Sequence, residues 1–159
     1  MNLNEKIPGC TFFSWREALW LPEEKRAVSD LELTEELKGN LINTFRWMDK
    51  VRNWIGRPIT VTIALRTLSY HLDLYKRINA KRKAQGLVEL KVPMGSFHLL
   101  GRAVDFVVVG LSCDDFKALV LKENKLEEWG LRMEDNGEGS NWIHLDDKTP
   151  GPSGRFFKP

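Results

Sequence analysis

Cysteine is scarce in this chain: there are two, Cys10 and Cys113, far apart and with no CxxC spacing. That excludes a disulfide framework and a thiolate zinc site. No apolar run approaches the roughly 20 residues that cross a bilayer. The start, Met1 to Pro8, has no apolar stretch of the kind that marks a signal peptide. The expectation is a protein without a membrane span that is cytoplasmic when made. Charge of one sign is lacking as well, since the net charge is +2, and this neither demands nor excludes an anionic partner. Histidine is rare too. There are three, His71, His98 and His144, so any imidazole chemistry must be assembled from these.

What is present suits one domain. The chain has 159 residues, 42% of them apolar, enough to bury a proper core. It is read as a single domain over 1–159, with an N-terminal arm over 1–33 and a C-terminal tail over 148–159. There is no internal repeat and no low-complexity segment. Lys76-Arg77 and Lys81-Arg82-Lys83 form a basic patch, and Glu127, Glu128, Glu134, Asp135 and Glu138 a later acidic one. Such a basic run reads first as a solvated helix face, so nucleic acid is not the expected partner.

The periodicity predicts an α+β fold. Ser14 to Glu17 has the spacing of a capping box and opens a short helix that Pro22 stops. Phe12, Trp15 and Trp20 would pack this arm on the core. Thr34 caps a helix whose Leu37, Leu41, Phe45, Met48, Val51 and Ile55 recur every three or four residues, and Gly56 ends it. Residues 58–65 alternate and are β-branched, which predicts a strand, with Arg66 at its end. A second helix runs from Ser69, as its cap, to Gln85, with Gly86 closing it. His71 in its first turn is read as solvent-facing or part of the cap, with a ligand role as the alternative. A helix over about 114–125 starts at the capping box Ser112 to Asp115. Strands are predicted over 103–109, 129–135 and 141–146, the last two joined by a hairpin turn at 136–140. The tail is read as coil pinned by Phe156 and Phe157. The result is a small, mainly antiparallel sheet with two or three helices packed on one side.

One residue in this pattern is out of place. Asp105 interrupts the apolar run Ala103 to Val109. A buried carboxylate without a partner is costly, so it needs a cation or strong donors. A metal ion would serve, and so would Arg102 or Arg66. His98 lies seven residues earlier, a spacing that suits a histidine in a loop and an aspartate on the following strand, with Gly101 letting the chain fold back. Trp142-Ile-His144-Leu-Asp146 offers a further imidazole. A catalytic zinc site wants three protein ligands and an open position, and His98, Asp105 and His144 make such a set.

The hairpin bears on a base. With the turn at 136–140, Glu134 pairs with Trp142 and Arg132 with His144. Side chains alternate, so Glu134, Trp142 and His144 share a face, and Glu134 sits diagonally beside His144. A general base for a metal-activated water belongs there. A slip of one residue would send Glu134 to the opposite face.

At these residues the chain resembles a family of zinc-dependent peptidoglycan peptidases. That family includes bacterial D-alanyl-D-alanine carboxypeptidases, D-Ala-D-Ala dipeptidases and phage L-alanyl-D-glutamate endolysins. Its central motif, SxHxxGxAxD, is filled at every position by Ser96, His98, Gly101, Ala103 and Asp105. Its later motif, an aromatic or apolar residue and then His, is matched by Trp142-Ile-His144. The resemblance spans about Thr34 to Asp146 and is most specific in the central motif. The small phage-type branch is the nearest match.

The resemblance implies roles by position. His98, Asp105 and His144 would hold Zn2+. Arg66 would hold the substrate carbonyl oxygen or carboxylate and stabilise the developing oxyanion. Ser96 and Gly101 would shape the loop, and Ser96 and Trp142 would contact substrate. The substrate would be a peptidoglycan peptide stem, cut by D,D-carboxypeptidase or L,D-endopeptidase action. The protein would be a monomer, acting on the cell wall after release or delivery. One position departs from the family. Many members carry Asp or Glu three residues before the last His, and here Asn141 stands there. Glu134 is the expected replacement as catalytic base, with Glu138 in reserve. Asn141 also supports an alternative, a non-catalytic phage structural or wall-binding module of the same fold.

Overall fold

The structure, a computed structural model, describes residues 1–137 and 139–158; Glu138, the reserve candidate for the base, lies outside them. Nine elements make its framework: α1 (Trp15–Leu19), α2 (Glu35–Ile55), β3 (Ile59–Ile63), α3 (Leu68–Ala84), β4 (Ala103–Val108), α4 (Cys113–Lys122), α5 (Lys125–Trp129), β5 (Arg132–Glu134) and β6 (Ile143–Asp146). Two short additions complete it, the hairpin β1 (Trp20–Leu21) with β2 (Arg26–Ala27) in the arm, and β7 (Phe156–Phe157) in the tail. The fold is α+β, as the periodicity predicts. Among the described residues no helix is long and apolar enough to cross a membrane.

The main sheet has five strands in the order β3-β4-β6-β5-β7. It is mixed rather than mainly antiparallel. β3–β4, β4–β6 and β6–β5 are antiparallel, but β7 runs parallel to β5. The expected coil of the tail is thus partly a strand: Met133 N–H donates to the Arg155 carbonyl at 2.8 Å. Phe156 and Phe157 do pin the tail, by pairing in the sheet. The predicted strand over 129–135 is shorter, because Trp129 ends helix α5 instead. Its ring packs edge-on to Trp54 at 5.2 Å, and Gly130, left-handed at φ 71°, then stops the helix.

One face of the sheet makes the core. Phe106 of β4, Met133 of β5 and Ile143 and Leu145 of β6 are buried there. Phe116 of α4 meets Phe106 edge-on at 5.6 Å and Trp54 of α2 at 5.9 Å. α2 turns Leu41, Phe45, Met48 and Val51 inward, and a fully buried side chain of this size contributes about 1.5–3 kcal/mol. Thr34 caps α2 by accepting the Leu37 N–H, and Gly56 closes it at φ 64°. The arm is held by Asp49 of α2, whose carboxylate accepts the Thr11 and Phe12 N–H groups at 2.6 and 3.2 Å. Trp15 and the neighbouring Phe13 are buried, whereas Trp20, expected in the core, is exposed.

Two further expectations change at α3. Its cap is Thr67, which accepts the Tyr70 N–H at 3.3 Å, so Ser69 already lies inside the first turn. His71 is fully buried rather than solvent-facing. Neither ring nitrogen has a hydrogen-bond partner among the described residues. Burial, with the Arg66 charge adding to it, pushes the imidazole pKa of His71 down. α3 also leaves the one-sided helical layer: Leu74, Tyr75 and Ile78 line a cleft together with Asp105, Glu134 and His144. The basic patch on α3 is exposed at Lys76, Arg77, Lys81 and Lys83.

The turn before β4 depends on one glycine. Gly101 is left-handed at φ 64°, and a Cβ there would sit 3.1 Å from Leu41 Cγ. Its carbonyl accepts the Thr44 hydroxyl of α2 at 2.8 Å. Gly101→Ala should therefore cost about 1–3 kcal/mol, from the left-handed backbone and the crowding of Leu41. A lower midpoint in urea denaturation checks this.

Candidate metal centre

His98 sits in a 3-10 turn, Phe97–Leu100, between Ser96 and the left-handed Gly101. The turn is tied to the end of β3, where Arg66 N–H donates to the His98 carbonyl at 3.0 Å. A register shift between Val61 and Ile63 lies just before it; such a bulge re-aims the chain that follows. Asp105 and His144 face each other across β4 and β6 as direct partners. Alternation along β6 then sends Ile143 and Leu145 into the core and leaves His144 and Asp146 on the cleft face.

The geometry fixes which atoms meet. His98 Nδ1 lies 2.7 Å from the Ala64 carbonyl oxygen, which can only accept, so Nδ1 carries a proton, and in the neutral ring that burial favours Nε2 is a bare lone pair. That Nε2 is 3.2 Å from Asp105 Oδ1 and 3.2 Å from His144 Nδ1. His144 Nδ1 is 2.7 Å from the same oxygen. Three atoms thus converge, one from each residue; His98 and Asp105 are buried and His144 is mostly so. An imidazole lone pair aimed at a carboxylate oxygen leaves neither able to donate. The point between them needs a positive centre, either a proton on His144 Nδ1 or a metal ion. His98, Asp105 and His144 can hold a metal ion, and the donor set of two imidazoles and a carboxylate fits one.

The electrostatics agree. Burial pushes the His98 pKa down in spite of Asp105, so the ring is neutral. Burial alone would raise Asp105, but the hydrogen bond and positive charge of His144 outweigh it and hold the carboxyl far below its usual range. Burial would lower His144, but its contacts with Asp105 and Asp146 carry it up to about 9. Of the two arginines weighed as partners for Asp105, Arg66 is the one that arrives. Its Nη2 donates to Oδ2 at 2.9 Å, which leaves Oδ1 for the imidazoles. Arg102 pairs with Asp147 at 2.9 Å instead.

Glu134 reaches the site by a register different from the expected one. Arg132 pairs with Asp146 and Met133 with Leu145, not Arg132 with His144. The loop between the strands is longer than a tight turn, and the pairing has moved by two residues. An even shift keeps every side chain on its face. Continuing this register sets Glu134 directly across from His144 rather than diagonal to it. Burial raises its carboxyl pKa, with the His144 charge opposing.

The cleft measures about 1010 Å³, and its walls include Arg66, Ser96, Asn141, Trp142 and Glu134. All of the expected site residues among those described therefore meet in one place. Trp142 precedes β6 and stays exposed, its carbonyl tied down by Asn136 at 3.1 Å and Ser140 at 3.0 Å. Residues that sequence reasoning missed also line it: Tyr75, Lys91, Lys148 and Phe157. Tyr75 comes from α3, where nothing in the helical pattern marks it. Asp146, two residues after His144, was legible from the strand period as a neighbour on the same face. No family model, no curated protein and no solved structure matches the chain.

Proposed function

We propose that this protein is a zinc-dependent metallopeptidase that hydrolyses peptide stems of bacterial peptidoglycan, in the manner of phage endolysins. The observation that carries it is the convergence of His98 Nε2, Asp105 Oδ1 and His144 Nδ1 at the floor of an open cleft with Glu134 beside them. The match of Ser96, His98, Gly101, Ala103 and Asp105 to the central motif of that peptidase family supports the choice of zinc and of substrate.

His98, Asp105 and His144 would hold the ion. When bound, zinc supplies Lewis acidity toward water and a peptide carbonyl. Glu134 receives the proton that water must lose at its carboxylate and passes it to the leaving amine. Arg66, pre-oriented by its ion pair with Asp105, turns its remaining N–H groups to the carbonyl oxygen as negative charge develops there. Its Nε is buried with no partner among the described residues. Trp142 and Ser96 offer an aromatic face and a hydroxyl to the stem. Lys91 and Lys148 on the walls suit its carboxylates.

Elemental analysis of protein purified without added metal should find zinc near one equivalent, and mass spectrometry of treated peptidoglycan should find cleaved stems. Undiminished hydrolysis by protein stripped of metal would sink the proposal. Asn141, which lines the cleft where the resembled family carries an acid, favours a second reading, a wall-binding module of the same fold without turnover. Wild-type protein that binds peptidoglycan but releases no peptide would select it.

A further inference from the structure

The proposed function leaves one group at the site without a task. Asp146 is 2% exposed. A buried carboxylate must be satisfied, and here three donors reach it. Arg132 donates to both oxygens, Nε to Oδ1 at 2.8 Å and Nη2 to Oδ2 at 2.7 Å. The Lys148 N–H adds a third at 3.0 Å. An ion pair so complete would serve as a strut. Yet Oδ2 also lies 3.4 Å from His144 Nε2, the ring nitrogen turned away from the convergence point. The His144 ring is thus wedged between two carboxylates, with Asp105 at Nδ1 and Asp146 at Nε2.

The sheet makes this a ladder of two rungs. Asp105 pairs with His144, and Arg132 pairs with Asp146. Phe157 of β7 closes the outer side. Its ring lies 4.1 Å from the Arg132 guanidinium and meets His144 edge-on at 6.2 Å.

We propose that Asp146, held by Arg132, is a positioning residue that fixes the proton of His144 on Nε2 and so presents Nδ1 to the metal. The inference rests on the metal-binding reading of the site. An imidazole whose outer N–H is held by a carboxylate keeps one tautomer and one ring orientation, and losing such a partner typically weakens metal binding about 10–100-fold. Turning the ring over would bring carbon to Asp105 and His98.

Zinc affinity of wild type, Asp146→Asn and Asp146→Ala, read by competition with a chromogenic chelator, tests this without any assay of turnover. Asp146→Ala should bind zinc about 10–100-fold more weakly, and Asp146→Asn, which keeps an acceptor oxygen for Nε2–H, should lose less. A purely structural role would not place the proton, so nitrogen-15 spectra of the zinc-loaded wild type give an independent reading that holds even if a variant fails to fold. His144 should show Nε2 protonated and Nδ1 coordinated. Coordination through Nε2 overturns the proposal, and so does wild-type affinity in a folded Asp146→Ala. A wild type that binds no zinc would instead overturn the reading beneath it.

Discussion

Glu134→Gln should lower kcat on peptidoglycan stems by about 10²–10⁴-fold while leaving the metal content unchanged. The two side chains have the same shape, so the cleft is preserved, but an amide cannot take a proton. Metal content should hold because Glu134 is not among the three atoms that converge. Strand parity places Glu134 on the cleft face. It lies on β5 across from His144, on the face that carries His144 and Asp146, and only an odd register shift would remove it. Burial raises its pKa above the ordinary carboxylate value of 4.5. The base works when deprotonated, so kcat/KM should fall as pH drops through that raised pKa, and the residual activity of Glu134→Gln should lack this limb. Asn141→Asp in the Glu134→Gln background supplies a contrast, because it returns an acid to the position the resembled family uses. Wild-type kcat in Glu134→Gln would place the base elsewhere.

The parts of this molecule legible in the sequence are those written in local periods. α2 follows from one apolar stripe between Thr34 and Gly56, and the structure keeps both caps. The convergence of His98, Asp105 and His144 is legible for a different reason: Asp105 breaks an apolar strand, and a buried charge calls for a partner wherever the chain finds one. What escaped depends on distant segments. β7 is two residues long and exists because β5 offers an open edge, a fact no local pattern carries. His71 is buried by what covers α3, and its place in a first turn says nothing of that. The hairpin register differs by two residues from the expected one because the loop between β5 and β6 extends beyond the turn formers at 136–140. The face of Glu134 is unchanged by that shift because the strand period is two.

Removal of His98 should cost more metal affinity than loss of any partner behind a ligand. A partner behind a ligand is worth about 10–100-fold in affinity, and a ligand itself should exceed that, so His98→Ala is expected to lose more than about 100-fold and all detectable hydrolysis. His98 differs from Asp105 and His144 in its electrostatics. Asp105→Asn would leave Arg66 facing an amide in a buried site, and His144→Ala would strip a contact from both Asp105 and Asp146. His98 is neutral, and its Nδ1 is spent on the Ala64 carbonyl alone. Its removal therefore leaves one acceptor without its donor, at about 1–3 kcal/mol, and no stranded charge. His71→Ala is the matched control. It is an imidazole as deeply buried as His98, beside the same Arg66, but outside the convergent set. It should lose comparable stability in urea and keep its zinc. If both variants lost zinc in proportion to their stability, the loss would reflect general unfolding, and the case for His98 as a ligand would fall.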